Sequence, residues 1–267
     1  MPEALPAEYD APLRATAGRR DPFGNRILYF SEIGSTNDEA ARLADHGAPE
    51  GTTVVAAAQS AGRGRFGRAW FSPPGAGLYV SVVIRNPRVA PLLTLAGGVA
   101  VAEGIRAATA LPVGIKWPND IVVNAGLGGR RKLAGLLAEA STTPDGLQHV
   151  VLGVGINIRE SAYPVDIAGL ATSLEGELGR AVDPGVVLAE CLCALANRVR
   201  ALAAGEASAV LARWTDLAPS ATGSRVEWDT AGGSFTGVTC GIADDGALIV
   251  RTRDGFEYIR SGPVRWL

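Results

Sequence analysis

Cysteine is scarce in this chain and its three copies are scattered: Cys191 and Cys193 stand in a stretch with helical patterning, Cys240 in a strand-like one. An odd number so spaced is neither a disulfide framework nor a paired metal signature, and it fits a reducing cytoplasm. An excess of positive charge is missing as well. With 25 Lys and Arg against 27 Asp and Glu, the net charge is -2, which removes the broad cationic surface that non-specific nucleic-acid binding exploits. Any basic site has to be local. No uninterrupted apolar run approaches the roughly 20 residues of a membrane span, so no membrane partner is expected. The first 21 residues mix prolines with both charge signs instead of the apolar core of a signal peptide, and the segment 1–24 reads as a loosely ordered arm. No fixed repeat period or low-complexity tract interrupts the rest.

What is present is an ordinary globular balance, 47% apolar and 19% charged over 267 residues, enough for one sizeable domain with a proper core and something small beside it. Strand patterns occupy 26–30, 52–58, 78–84, the neighbourhood of Ile115, 121–123, 132–139 and 149–158. Turn residues at 124–129 and at Pro144-Asp145-Gly146 join the later ones into an antiparallel sheet. Helical patterns occupy 38–47, 92–110, 184–204 and 206–215, the second softened by Gly97 and Gly98, where another element can approach closely. After Pro219 the texture changes to short strands broken by Gly232-Gly233, Asp244-Asp245-Gly246 and Asp254-Gly255. Strands mixed with segregated helices predict an α+β domain over 25–218 and a small β-barrel over 219–267, with the break near Ala218.

The least ordinary segment is Gly62-Arg63-Gly64-Arg65-Phe66-Gly67-Arg68, followed by Trp70. Its glycines permit unusual backbone angles and its three guanidinium groups can converge, a composition suited to wrapping a phosphate or carboxylate. By itself the string fits an exposed loop or an RNA contact equally well. A Walker loop would end in Gly-Lys-Ser/Thr at a helix start, so a P-loop NTPase is disfavoured. Lys116-Trp117-Pro118-Asn119-Asp120 packs a cation, an aromatic plate, a rigid turn, an amide and a carboxylate into five positions, more polar function than a turn requires, although Trp117 can also fill a core. Lys132 opens an apolar strand, where its ammonium can reach a phosphate oxygen or merely protect a sheet edge. Gly34-Ser35-Thr36-Asn37 precedes a helix that its hydroxyl and amide side chains are placed to cap.

Taken in order, Gly34-Ser35-Thr36-Asn37, Gln59-Ser60-Ala61 running into the arginine-glycine loop and Trp70, Lys116 to Asp120, Lys132-Leu133-Ala134-Gly135, Gly153-Val154-Gly155-Ile156-Asn157 and Ala171-Thr172-Ser173-Leu174 closely resemble the biotin protein ligases, from Ile27 to the C-terminus. No helix-turn-helix segment precedes these motifs, so the resemblance is to the monofunctional form without a repressor domain. It implies a catalytic domain akin to class II aminoacyl-tRNA synthetases, with a mixed or antiparallel sheet and helices, and a small SH3-like barrel behind it. It implies an enzyme that forms biotinyl-5'-AMP from biotin and ATP and then transfers biotin to one lysine of a biotin carboxyl carrier domain. Mg²⁺ would be carried mainly by the ATP phosphates, with no protein metal site. By the same resemblance Ser35, Thr36, Asn37 and Gln59 hold the ureido ring of biotin, and Arg63, Gly64, Arg65 and Lys132 complete the biotin contacts. Arg65, Arg68, Trp70, Lys116, Asn119, Lys132 and Asn157 face ATP and the adenylate, and Arg65, Lys132 and Asp120 carry the catalysis. The chemistry suits those residue types: a ureido ring needs paired donors and acceptors, and joining a carboxylate to a phosphate needs preorganised positive charge.

One departure from the pattern is Phe66, which stands where some members carry a second consecutive arginine and softens the loop's charge. The nearest alternative is a lipoate or octanoate ligase or transferase of the same superfamily. Its Arg-Arg-x-Ser-Gly-Gly-Gly stretch and His-Asp pair are missing here, His46 and His149 standing in other contexts. A nucleic-acid-binding regulator that uses the loop as a basic arm is a second alternative, opposed by the acidic balance, and no DNA partner is expected. The chain is expected to act in the cytoplasm as a monomer or weak homodimer.

Overall fold

The computed structural model describes residues 1–124, 129–230 and 233–267. Seven strands, β1 (Ile27–Phe30), β2 (Thr53–Ala56), β3 (Gly77–Ile84), β4 (Gly114–Lys116), β5 (Asp120–Asn124), β6 (Arg130–Thr143) and β7 (Gly146–Asn157), form one sheet in the order β1-β2-β3-β7-β6-β5-β4. Every neighbouring pair is antiparallel except β1 and β2, which run parallel. Helix α3 (Thr36–Asp45) links those two, supplying the crossover that a parallel pair requires. The sheet is therefore mixed. The long β6-β7 hairpin turns at Pro144-Asp145-Gly146, where Gly146 takes φ +119°.

Alternation along the strands sorts side chains to two faces. On one face Val80, Val82, Ile84, Leu136, Leu152 and Ile156 share a core with α4 (Leu93–Thr109) and α6 (Pro184–Ala203). On the other, Val54, Ala56, Val83 and Val151 pack against Ala40, Leu43 and Ala44 of α3. Residues Pro87–Thr109 are long and apolar enough to cross a membrane, but 72% of the most apolar window is buried inside the protein, so their composition is that of a core helix. The close approach foreseen for α4 occurs at Gly97, where a Cβ would lie 2.9 Å from Leu136 Cδ2, whereas Gly98 has only ordinary contacts. A tighter one, unforeseen, is at Gly104, where a Cβ would lie 2.5 Å from the Cα of Cys191 on α6. Helix α6 starts as its sequence requires, with Pro184 in the first turn and the Asp183 carboxylate accepting from the amides of Gly185 at 2.8 Å and Val186 at 3.2 Å.

The N-terminal segment departs from the expectation of a loose arm. Helices α1 (Ala7–Ala15) and α2 (Ala17–Arg20) lie against α6. Tyr9, Leu13 and Phe23 are buried there, and the buried Arg20 guanidinium donates to the carbonyls of Leu13 at 3.1 Å and Phe23 at 2.8 Å. Tyr9 and Leu13 are four residues apart and so share one helix face, a stripe that α6 covers. In the sequence the intervening charges and Pro12 obscure it.

Beyond α5 (Leu174–Leu178) and α7 (Ala207–Leu217), strands β8 (Thr222–Thr230), β9 (Gly233–Ile242), β10 (Leu248–Arg251), β11 (Phe256–Ile259) and β12 (Val264–Trp266) form a second, antiparallel sheet in the order β11-β10-β9-β8-β12. Trp117 ties the two sheets together: its ring is buried and its Nε1 donates to the carbonyl of Gly246, between β9 and β10, at 3.1 Å. The turn read at 124–129 and the break read at Gly232-Gly233 fall largely outside the described residues.

Candidate active site

The face of β3, β7 and β6 that looks toward α3 is stripped of side chains at its centre. Gly155 lies in register between Tyr79 and Gly135, and Gly153 between Ser81 and Leu137. A Cβ at Gly153 would stand 2.1 Å from Asn37 Oδ1, and one at Gly155 2.4 Å from Trp70 Nε1. Such separations are too short for any side chain, so the two bare positions admit, next to each other, an amide from the start of α3 and an indole from the end of the arginine-glycine loop.

Around Asn37 the polar groups satisfy one another. Helix α3 begins at Thr36, two residues earlier than its apolar periodicity suggests, and Ser35 at the cap position makes no side-chain capping bond. The expected local cap is replaced by a distant one: Gln59 Oε1 accepts from the Thr36 amide at 2.8 Å and from its hydroxyl at 3.0 Å. Ser35 is thereby left facing the cavity. Asn37 Oδ1 accepts from Ser81 Oγ at 2.6 Å, and its Nδ2 donates to Glu139 Oε2 at 2.6 Å. Ser81 Oγ also lies 2.8 Å from Thr36 Oγ1. Gln59 Nε2 donates to Ser72 Oγ, which donates to the carbonyl of Trp70, both at 3.0 Å. Thr36, Asn37 and Ser81 are all buried, where an unpaired polar group is costly and a fully paired network is rigid.

The arginine-glycine loop is a short hairpin. Trp70 donates its amide to the carbonyl of Gly62 at 2.9 Å, and Gly64 donates to that of Arg68 at 2.7 Å. At its tip Phe66 takes φ +58°, the left-handed region, and the Arg65 guanidinium stacks 4.8 Å from the centre of its ring. Arg63 points to carboxylates, meeting Asp38 at 2.5 Å and Glu139 at 2.9 Å, and these pairings push its pKa up. Arg65 is pulled the other way by desolvation, only partly offset by the charge of Asp120.

Cations converge at the opposite end. Lys132 Nζ lies 2.6 Å from Asp120 Oδ1 and 5.0 Å above the Trp70 ring. Lys116 Nζ lies 5.0 Å from the Trp266 ring of the second sheet, and burial pushes its ammonium below the usual lysine range. Two amides are anchored on backbone: Asn119 Nδ2 donates to the Leu136 carbonyl at 2.7 Å and Asn157 Nδ2 to that of Thr172 at 2.9 Å.

One cavity of about 950 Å³ joins both ends. That is the upper end of the range for small-molecule sites and leaves room for two substrates side by side. Ser35, Thr36, Asn37, Gln59, Arg63, Gly64, Arg65, Arg68, Trp70, Lys116, Asn119, Asp120, Lys132 and Asn157 all line it, so the structure brings together every site residue read from the sequence. Arg130 and Arg225 add two further cations, and among the described lining residues Asp120 has the one carboxylate side chain. Already paired with Lys132, it does not amount to a donor set for a resident metal, and the described residues contain no cluster of three His, Cys, Asp or Glu placed to hold one.

Sequence reasoning missed Ser81, Glu139, Ser72, Arg225 and Trp266. Ser81 carries a weak signal, a small polar residue in an otherwise apolar strand, and Glu139 ends the apolar run of β6; the last two come from the far sheet and carry none.

Comparison with known proteins agrees with this geometry. The Biotin/lipoate A/B protein ligase family matches residues 29–157, and the Biotin protein ligase C terminal domain matches 222–264. A bifunctional ligase/repressor BirA of Bacillus spizizenii is 34% identical over 251 residues, 92% of this chain and 75% of the relative. A biotin–[acetyl-CoA-carboxylase] ligase of Mycobacterium tuberculosis is 33% identical over 254 residues, 88% of this chain and 86% of the relative. Among solved structures, the biotin protein ligase of Aquifex aeolicus in complex with biotin and ATP is 27% identical, with a TM-score of 0.79 over 91% of this chain and 99% of that one. On these grounds, and with a cavity that sets a neutral hydrogen-bonding end against a cationic one, the chain belongs to the biotin protein ligase family.

Proposed function

We infer that this protein is an ATP-dependent biotin protein ligase. The observation that carries the reading is the two-ended cavity, in which buried amides and hydroxyls adjoin a group of cations that, among the described lining side chains, only the Asp120 carboxylate answers. Ser35, Thr36, Asn37 and Gln59 hold the ureido ring, whose N–H and C=O groups need acceptors and donors together. The valeryl chain then runs beneath the loop toward Lys132, and the nucleotide lies against Trp70, Lys116, Asn119, Asn157 and Arg68.

In the first step a carboxylate oxygen of biotin attacks the α-phosphorus of ATP and pyrophosphate leaves. Two anions must approach, so the fixed charges of Arg65 and Lys132 lower the barrier by being in place beforehand. Mg²⁺ would enter as the counter-ion of the phosphates, screening their charge, and no step of this chain's residues depends on a resident metal. In the second step the neutral amine of an acceptor lysine attacks the biotinyl carbonyl and AMP leaves. Once Lys132 turns to phosphate, Asp120 is free of its 2.6 Å ion pair and can orient that amine and take its proton. The loop hairpin, with Arg63, Gly64 and Arg65, lies over the mixed anhydride and keeps water from it.

On this reading residues 25–218 are a catalytic domain of the class II synthetase type and 219–267 an SH3-like barrel, with the acceptor a biotin carboxyl carrier domain in the cytoplasm. The family match to the C-terminal domain and the five-stranded antiparallel sheet support that division. The test is ATP–pyrophosphate exchange with biotin, lipoate and octanoate supplied separately. Exchange with biotin alone is expected; exchange driven instead by lipoate or octanoate would overturn the assignment.

A further inference from the structure

Glu139 plays no part in the chemistry above and does not line the cavity, yet it joins two parts of the site. It sits on β6 opposite Val151, two residues along from the row in which Gly153 lies beneath Asn37 and so on the same face of the sheet. One of its oxygens, Oε2, accepts from Asn37 Nδ2 at 2.6 Å and from Arg63 Nη2 at 2.9 Å, while Oε1 accepts from the same Arg63 nitrogen at 3.1 Å. From there Asn37 Oδ1 accepts the one hydroxyl hydrogen of Ser81, whose Oγ packs 2.8 Å from Thr36 Oγ1; Thr36 donates to Gln59 Oε1, and Gln59 Nε2 to Ser72 Oγ, which donates to the carbonyl of Trp70. The path leaves the arginine-glycine loop at one end, Arg63, crosses the polar end of the cavity, and rejoins the loop at the other end, Trp70.

A carboxylate only accepts hydrogen bonds, so Asn37 has to turn its Nδ2 toward Glu139 and its Oδ1 toward Ser81. That leaves the second Nδ2 hydrogen as the amide's free donor. We propose that Glu139 is a positioning residue: it sets the orientation of the Asn37 amide and latches Arg63, so that recognition of the ureido ring and closure of the loop depend on one carboxylate. The proposal rests on the ligase reading. Asp38 holds Arg63 from the other side, but its carboxylate makes no hydrogen bond to the Asn37 amide side chain, which makes it a built-in control.

Binding free energies couple reciprocally, so a shared residue must move both quantities. Glu139→Gln removes the charge that holds Arg63 and lets the Asn37 amide reverse. Its biotin KM should rise ~5- to 10-fold and release of bound biotinyl-adenylate should quicken by a similar factor, with the ATP KM and kcat of adenylate formation within ~2-fold of wild type. Asp38→Asn should quicken release ~2-fold and leave the biotin KM alone. Arg63→Ala should quicken release as Glu139→Gln does, and the double variant should be no worse than either single one. If Glu139→Gln leaves biotin KM and release unchanged, or if its effect multiplies with that of Arg63→Ala, the positioning role is overturned. Should Glu139→Gln not fold, as judged by its melting temperature, the Asp38→Asn and Arg63→Ala pair decides: unchanged release in both overturns the latch. Wild-type protein inactive with biotin would instead overturn the ligase reading, and the proposal with it.

Discussion

The two ends of the cavity are built on opposite terms. At the polar end Thr36, Asn37, Gln59, Ser72 and Ser81 are already paired with one another, and the three most central are buried. At the cationic end Arg65, Lys116 and Arg130 are desolvated enough to lower their pKa values, with Asp120 alone among the described lining carboxylates to answer them. A neutral ligand group is recognised by donors and acceptors held still beforehand, and stillness comes from a complete network. An anion is attracted by charge left without a partner, which stays poorly compensated until the anion arrives. On the proposed reading, one end therefore specifies the ligand and the other drives the reaction.

Substitutions at the two ends should fail in different ways. The largest effect belongs to the cationic end: Lys132→Ala should slow biotin-dependent pyrophosphate exchange ~10²-fold or more while the biotin KM stays within ~3-fold. A loss confined to KM would make the cations binding groups only and erase the contrast. Next, Arg65→Ala should quicken escape of biotinyl-adenylate ~10-fold, because a half-buried, desolvated guanidinium gains most from an anionic partner. Retention on a filter equal to wild type would remove Arg65 from the closed state. Smallest in catalysis, Ser81→Ala leaves the buried Asn37 Oδ1 without its donor and should destabilise the fold by about 1–3 kcal/mol, seen as a lower melting temperature. It should raise the biotin KM a few-fold and spare the ATP KM; an equal rise in both would show that the ends are not separate.

Much of this architecture can be read from residue order. Strands 78–84 and 149–158, helices 92–110 and 184–204, and the turn at Pro144-Asp145-Gly146 were legible because each rests on local patterning that the core then rewards. The candidate site residues were legible because their motifs, weak one by one, form an ordered set that resembles a known family, and one cavity gathers them. Elsewhere local reading fell short for physical reasons. The cap of α3 comes from Gln59, 23 residues away, and no local pattern can announce a bond of that kind. Helix α1 takes its stability from the face that α6 covers, so its propensity alone understated it. Glu139 acquires its partner only when the loop folds back to put Arg63 against it, a contact across 76 residues of chain.

The chain's order of amino acids by itself determined the kind of chemistry and the parts proposed to perform it: glycines in the strands, arginines in the loop, a lysine opening β6, a hydroxyl-amide turn before α3. Those follow from near-neighbour identity, which needs no coordinates. Which of those parts meet was decided only in three dimensions. The register of β3, β7 and β6 set Gly153 beneath Asn37 and Gly155 beneath Trp70, and the second sheet brought Trp266 to Lys116 across 150 residues of chain. Strand pairing and sheet packing are long-range choices made by burying apolar surface, and side chains far apart in sequence inherit their partners from them.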